Sequence, residues 1–155
     1  MSGDPTRVVA DADVLAADLL IDGDARAALE CVWRHSWMTL VASPRLVAEA
    51  ETVIARLADD GLAQTWRAAI RDWAEFVEHP PGDQPALGSA RAGDAAHVLT
   101  LDAALQSAES NVTLQQWLDI SVRAPAAFET VFDPEALYEA AVGDAYPGPD
   151  RPPRA

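Results

Sequence analysis

The stretch Arg7-Val8-Val9-Ala10-Asp11-Ala12-Asp13-Val14-Leu15 decides how the chain is read: a short apolar run stops abruptly at two carboxylates, and apolar residues at helical spacing follow. Consecutive apolar residues without alternation suit a strand buried on both faces, as in a parallel sheet. From Val14 to Trp33 apolar positions recur every three or four residues and are broken at Asp22-Gly23-Asp24, which predicts two helices. The same alternation continues downstream. Trp37–Ala42 reads as a second strand, and Ser43-Pro44 supplies an N-cap and a first helical residue for a helix through Leu57. Leu62–Val77 carries Trp66, Ile70, Trp73 and Val77 on one stripe, which predicts a helix stopped by His79-Pro80-Pro81-Gly82.

A short helix over Asp83–Arg91, a strand over His97–Leu101 and a helical stretch to about Trp117 come next. A strand over Asp119–Arg123, a helix opened by Ala124-Pro125, and a last helix capped by Asp133 and running to about Val142 complete the series. Strands alternating with helices predict an α/β fold: a three-layer α/β/α sandwich around a central, mostly parallel sheet of four or five strands. Residues 1–142 are expected to form a single domain. Residues 143–155 hold Pro147, Pro149, Pro152 and Pro153 among glycines and charges, and are expected to be a disordered tail.

Composition narrows the function. Acidic residues outnumber basic ones 25 to 11, every basic residue is arginine, and the formal net charge is −14. An acidic surface without lysine suits molar salt, where carboxylates hold hydration and ions screen their mutual repulsion, so a halophilic archaeal source is expected. Such a charge opposes binding of a polyanion at ordinary salt. At about 1 M salt, however, the Debye length is roughly 3 Å, and only local contacts count. No run of about 18 apolar residues occurs, and the polar Met1–Thr6 segment leads straight into Arg7, so a cytoplasmic protein with no membrane association is expected. The lone Cys31 excludes a disulfide framework and a cysteine zinc site, and reads as a small core residue. His35, His79 and His97 have no paired metal-ligand spacing, and neither Gly-x-Ser-x-Gly nor a phosphate-binding glycine loop is present. These absences disfavour a histidine zinc hydrolase and an acyl-transfer enzyme.

Carboxylates at the carboxyl ends of parallel strands converge on one crevice, where a hard divalent cation can sit. Asp11 ends the first strand and has no evident structural role, whereas Asp13 could serve only to cap the next helix. Glu49 and Glu51 lie on the two borders of the apolar face formed by Leu46, Val47, Ala50, Val53, Ile54 and Leu57, and periodicity does not choose between them. Asp83 follows a glycine and fits an N-cap. Asp102 closes a strand in which Thr100 alternates to the same side.

Together these segments resemble the PIN-domain family from about Arg7 to Phe132. The resemblance rests on Asp11 and Asp13 after the first strand, Ser43 and Glu49 on the helix after the second, Asp83 with Leu87 and Ala90 downstream, and the Thr-x-Asp of Thr100 and Asp102. It implies a nuclease that hydrolyses RNA phosphodiester bonds with Mg²⁺ or Mn²⁺ held by Asp11, Glu49, Asp83 and Asp102, assisted by Asp13, Ser43 and Thr100. It favours Glu49 over Glu51. Asp94 lies close enough in sequence to replace Asp83 as the third acid. Single-stranded RNA is the expected substrate; a VapC-type toxin with an antitoxin partner, and a homodimer, both fall within the resemblance. Trp66 and Trp73, seven apart on one stripe, read as core or dimer contacts rather than a base-stacking platform. The alternative is a PIN-like domain without catalysis that serves as a protein-interaction module.

Overall fold

In the computed structural model, residues 3–107 and 120–154 are described. A parallel five-stranded sheet lies at the centre, formed by β1 (Asp4–Ala10), β2 (Thr39–Ala42), β3 (Glu75–Phe76), β4 (Ala95–Leu99) and β5 (Ser121–Arg123) in the order β3-β2-β1-β4-β5. Eight helices are described around it: α1 (Ala12–Leu20), α2 (Asp24–Trp33), α3 (Pro44–Leu57), α4 (Asp60–Trp73), α5 (Pro85–Ala92), α6 (Ala103–Ser107), α7 (Pro125–Val131) and α8 (Pro134–Val142). The expected α/β/α sandwich is what forms. Val8 and Val9 of β1 pair with Leu40 and Val41 of β2 on one side and with His97 and Val98 of β4 on the other. Both valines are fully buried, as a strand covered on two faces requires.

The order of the strands places the site. From β1 the chain steps to β2 and then β3 in one direction, and α1 packs on α2 and α3 while α3 packs on α4, all in one layer. From β3 it crosses back over the sheet to β4 on the far side of β1, carrying α5 across β2, β1 and β4. Reversal of direction puts α5 on the other face under the usual crossover hand. Connections leaving β1 and β4 therefore part from each other at the carboxyl edge, which opens a crevice between them. The core under this edge comprises Leu15, Leu29, Leu40, Leu46, Ile54, Leu99 and Phe128, each less than 2% exposed.

Several local boundaries differ from expectation for identifiable reasons. α4 starts at Asp60, with Asp59 accepting from the Leu62 amide as N-cap, and ends at Trp73 rather than Val77. The next residues, Glu75 and Phe76, form β3 beside β2, and the Val77 amide donates to the Ala42 carbonyl. A two-residue exposed strand has no periodicity of its own, so the sequence read it as the end of the helix. α5 is capped by Gln84, which accepts from the Leu87 amide, rather than by Asp83. The helical stretch expected to reach Trp117, and Asp119 of the expected last strand, lie partly outside the described residues; within them α6 spans Ala103–Ser107 and β5 spans Ser121–Arg123.

The segment after α8 departs most from expectation. In place of a disordered tail, residues 146–154 lie against α2: the Asp150 and Arg151 amides donate to the Arg34 carbonyl, the Trp33 indole N–H donates to the Pro152 carbonyl at 2.9 Å, and Tyr146 pairs with His35 at 2.6 Å. Composition judged this segment by what it could bury itself. Its Asp150 and Arg151 amides go to the Arg34 carbonyl, left open at the carboxyl end of α2.

Candidate functional site

The site is built from the two loops that part at the carboxyl edge. β1 passes into α1 with one residue between them, Asp11, whose amide donates to the Leu99 carbonyl of β4 at 2.8 Å. Asp11 is 8% exposed and caps α1 itself, Oδ1 accepting from the Ala12 amide at 2.9 Å. The structural role left open for Asp13 thus belongs to Asp11, because helix follows strand too closely for a later cap. Oδ2 of Asp11 accepts from the Thr100 hydroxyl at 2.9 Å. Thr100 is fully buried, and its Oγ1 in turn accepts from the Asp102 amide at 3.1 Å. One hydroxyl thereby ties the end of β1 to the loop after β4.

Asp13, the second residue of α1, reaches across the same gap, Oδ2 accepting from the Leu101 amide at 3.2 Å. Burial pushes the Asp13 carboxyl above the usual aspartate range, and the charges of Asp11 and then Asp102 push it further; amide donors from Leu101 and Val14 pull the other way. Among the described residues no ion pair reaches Asp11, Asp13 or Asp102. Asp102 is exposed and caps α6, its Oδ1 accepting from the Ala104 amide at 2.9 Å.

Glu49 and Glu51 are now distinguished. Glu51 is half-buried and pairs with Arg67 of α4 at 2.7 Å, so its border of α3 faces α4. Glu49, two residues earlier and about 200° away on the wheel, occupies the opposite border, in the second turn of α3 from the carboxyl edge. It is exposed and makes no ion pair among the described residues. Asp83 precedes α5 in the connection from β3, also at the carboxyl edge, where its side chain lies against Gly88 beside His79. Asp94 is excluded as the third acid. It directly precedes β4, at the amino edge, where its carbonyl accepts from the Asp4 amide, and it adopts φ 54° to make the turn.

Ser43 caps α3 as expected, its Oγ accepting from the Leu46 amide, and is 1% exposed. It has a partner that spacing gave no reason to expect: His79 Nε2 lies 3.0 Å from Ser43 Oγ, with His79 Nδ1 3.0 Å from the Pro80 carbonyl. A hydroxyl proton donated to Nε2 and an Nδ1–H donated to Pro80 satisfy both contacts with one neutral tautomer. His79 was set aside in the sequence because it pairs with no second histidine, and its real partner is 36 residues away.

The structure thus brings Asp11, Asp13, Thr100 and Asp102 together directly, and places Ser43, Glu49 and Asp83 along the same edge. Among the described residues no three of His, Cys, Asp or Glu are gathered closely enough to hold a metal ion in the arrangement seen. The oxygens that would do so are turned to amide and hydroxyl donors. The donor set is nonetheless of the right chemistry: hard carboxylate oxygens, partly buried, mutually repelling and without a cationic side chain. No helix among the described residues is long and apolar enough to cross a membrane. No curated protein and no solved structure gives a significant match to the chain. The profile of a family of unknown function, DUF7384, matches residues 2–154, and the chain belongs to that family.

Proposed function

We propose that the crevice between the β1 and β4 loops binds Mg²⁺ or Mn²⁺ and hydrolyses phosphodiester bonds of single-stranded RNA, as the resemblance to PIN domains implies. The observation that supports this reading is the meeting of Asp11, Asp13 and Asp102 across one gap, with burial and like charge raising the proton affinity of Asp13 and no basic side chain compensating. Asp11, Asp13 and Asp102 would hold the ion, with Glu49 and Asp83 approaching from α3 and the α5 connection. When bound, the cation supplies a more acidic water and offsets charge developing on the phosphoryl oxygens. Thr100 keeps Asp11 Oδ2 aimed at the gap, and Asp11 Oδ1 is fixed by the α1 amide. Arg123 closes β5 beside Leu99, where it meets a backbone phosphate better than Arg45, whose guanidinium donates to the Pro81 carbonyl at 2.7 Å.

The second reading, an interaction module without catalysis, is favoured by the absence of a gathered ligand group among the described residues. One experiment separates the two. A single-stranded RNA is incubated with the protein and Mn²⁺ in molar KCl, and divalent binding is measured by calorimetry in the same buffer. Cleavage that Asp11→Asn abolishes while circular dichroism is unchanged supports the nuclease. Intact RNA together with no detectable heat of Mn²⁺ binding establishes the module.

A further inference from the structure

The strongest polar assembly outside the crevice is on the layer formed by α1, α2 and α4, where a groove of about 780 Å³ is lined by Asp18, Glu30, Trp33, Trp66, Trp73 and the end of the tail. With Arg154 in place Asp18 of α1 is 8% exposed, and a carboxylate covered to that extent needs a partner. Its partner comes from 136 residues away. Arg154 donates through Nη1 and Nη2 to the two Asp18 oxygens at 2.8 Å each, through Nε to Glu30, and its guanidinium lies 5.2 Å from the Trp73 ring centroid. Arg151 sits likewise over Trp33 at 4.9 Å. A bidentate carboxylate, a second carboxylate on the remaining edge and an aromatic face together match the planar fork of arginine and no other side chain.

The segment that delivers this arginine is built as a ligand rather than as an element of the fold. Residues 144–154 form neither helix nor strand, and α8, from which they leave, contains no fully buried residue. Gly143 and Gly148 both take φ +90° with open space around the missing Cβ, so the chain can turn at either point without moving the core. The segment meets α2 and the turn after it through backbone hydrogen bonds and ring faces, as proline-rich peptides meet aromatic grooves, and through two side-chain contacts, Asp150 accepting from Ser36 and Arg154 donating to Glu30.

We propose that the seat formed by Asp18, Glu30, Trp33 and Trp73 beside this groove is a peptide-docking site selective for an arginine preceded by prolines, and that the chain's own Pro149–Arg154 segment is its resident, exchangeable occupant. This inference does not depend on the nuclease reading. A short tether holds the segment at an effective concentration on the order of millimolar, so a competing peptide meets a largely filled site until the resident arginine is removed.

The test uses a fluorescein-labelled peptide with the sequence of residues 148–155, titrated by anisotropy into the full-length protein. Binding to Arg154→Ala at least about tenfold tighter than to the wild type is expected. That binding should be lost when the peptide's second arginine, the counterpart of Arg154, is replaced by alanine, or when Asp18→Asn is added to the protein. Equal affinity for wild type and Arg154→Ala, or binding that survives Asp18→Asn, overturns the proposal. Hydrogen exchange on the wild type gives a second reading that needs no variant. The Asp150 and Arg151 amides should exchange orders of magnitude faster than those of α1 and α3; exchange only with global unfolding would make the segment a fixed strap and overturn it. A wild-type dimer that grows with concentration and disappears in Arg154→Ala would seat the arginine of a second copy in the groove and overturn the intramolecular occupant.

Discussion

Replacing Thr100 by valine removes a single oxygen from the junction of β1 and β4 without changing side-chain volume, so the substitution leaves no cavity. Thr100 is fully buried, and its hydroxyl is the only side-chain donor to Asp11 among the described residues. Hydrogen bonds to charged partners contribute about 1.5–3 kcal/mol, and the lost acceptor of the Asp102 amide costs little because Asp102 is exposed and water can replace it. Thr100→Val should therefore destabilise the protein by about 2 kcal/mol. For a domain of this length that is a fall of roughly 4–8 °C in melting temperature. Urea unfolding in molar KCl measures it directly: the midpoint should drop with an unchanged slope, since the native and unfolded surfaces are the same. Thr100→Ser keeps the oxygen, loses one methyl and should recover all but about 1 kcal/mol. A Thr100→Val unfolding free energy within about 0.5 kcal/mol of wild type, or a serine variant no better than valine, would refute the claim that this hydroxyl holds the two loops together.

Two further substitutions probe the edge. Because the Asp13 carboxyl is pushed up in the folded state, folding takes up a proton there; this group's contribution to stability is fully present below the ordinary aspartate range and is lost as pH rises through the folded value. Asp13→Asn should accordingly melt higher than wild type at pH 7 in EDTA and flatten that pH dependence, with the order reversed in saturating Mn²⁺ if the crevice takes the cation; melting below wild type in both buffers would contradict it. A Cβ at Gly88 would come within 2.7 Å of His79 Cγ and 2.9 Å of Asp83 Cβ. Gly88→Ala should therefore cost about 1–3 kcal/mol, less whatever alanine returns in helix propensity, and should move the His79 imidazole signals in NMR as its contact with Ser43 loosens.

The parts of this molecule that were legible in the sequence are those whose signal is local and repeated. Val8-Val9-Ala10 and Leu40-Val41 read as buried strands because nothing polar interrupts them, and Ser43-Pro44 fixed the start of α3 to the residue. The carboxylates at the ends of β1 and β4 were found because topology alone carries strand ends to one edge. What escaped depends on partners distant in sequence. Whether Asp11 or Asp13 caps α1 is decided by the Leu99 carbonyl that anchors the Asp11 amide, and Glu51 is set apart from Glu49 only by Arg67 on the next helix. The His79–Ser43 contact and the seat of Arg154 have no period to detect. β3 is too short to have one.

The sheet stops at both sides in very little: Glu75 and Phe76 at one margin, three residues at the other. A neighbouring molecule seeking to extend it would find only a pair of pleats, with Arg7 already clasping the Glu75 carboxylate. So small a template offers few main-chain bonds to an incoming strand, and growth of the sheet from molecule to molecule is starved at its first step. For a chain this acidic, whose self-repulsion fades in concentrated salt, that brevity guards against association where charge no longer does.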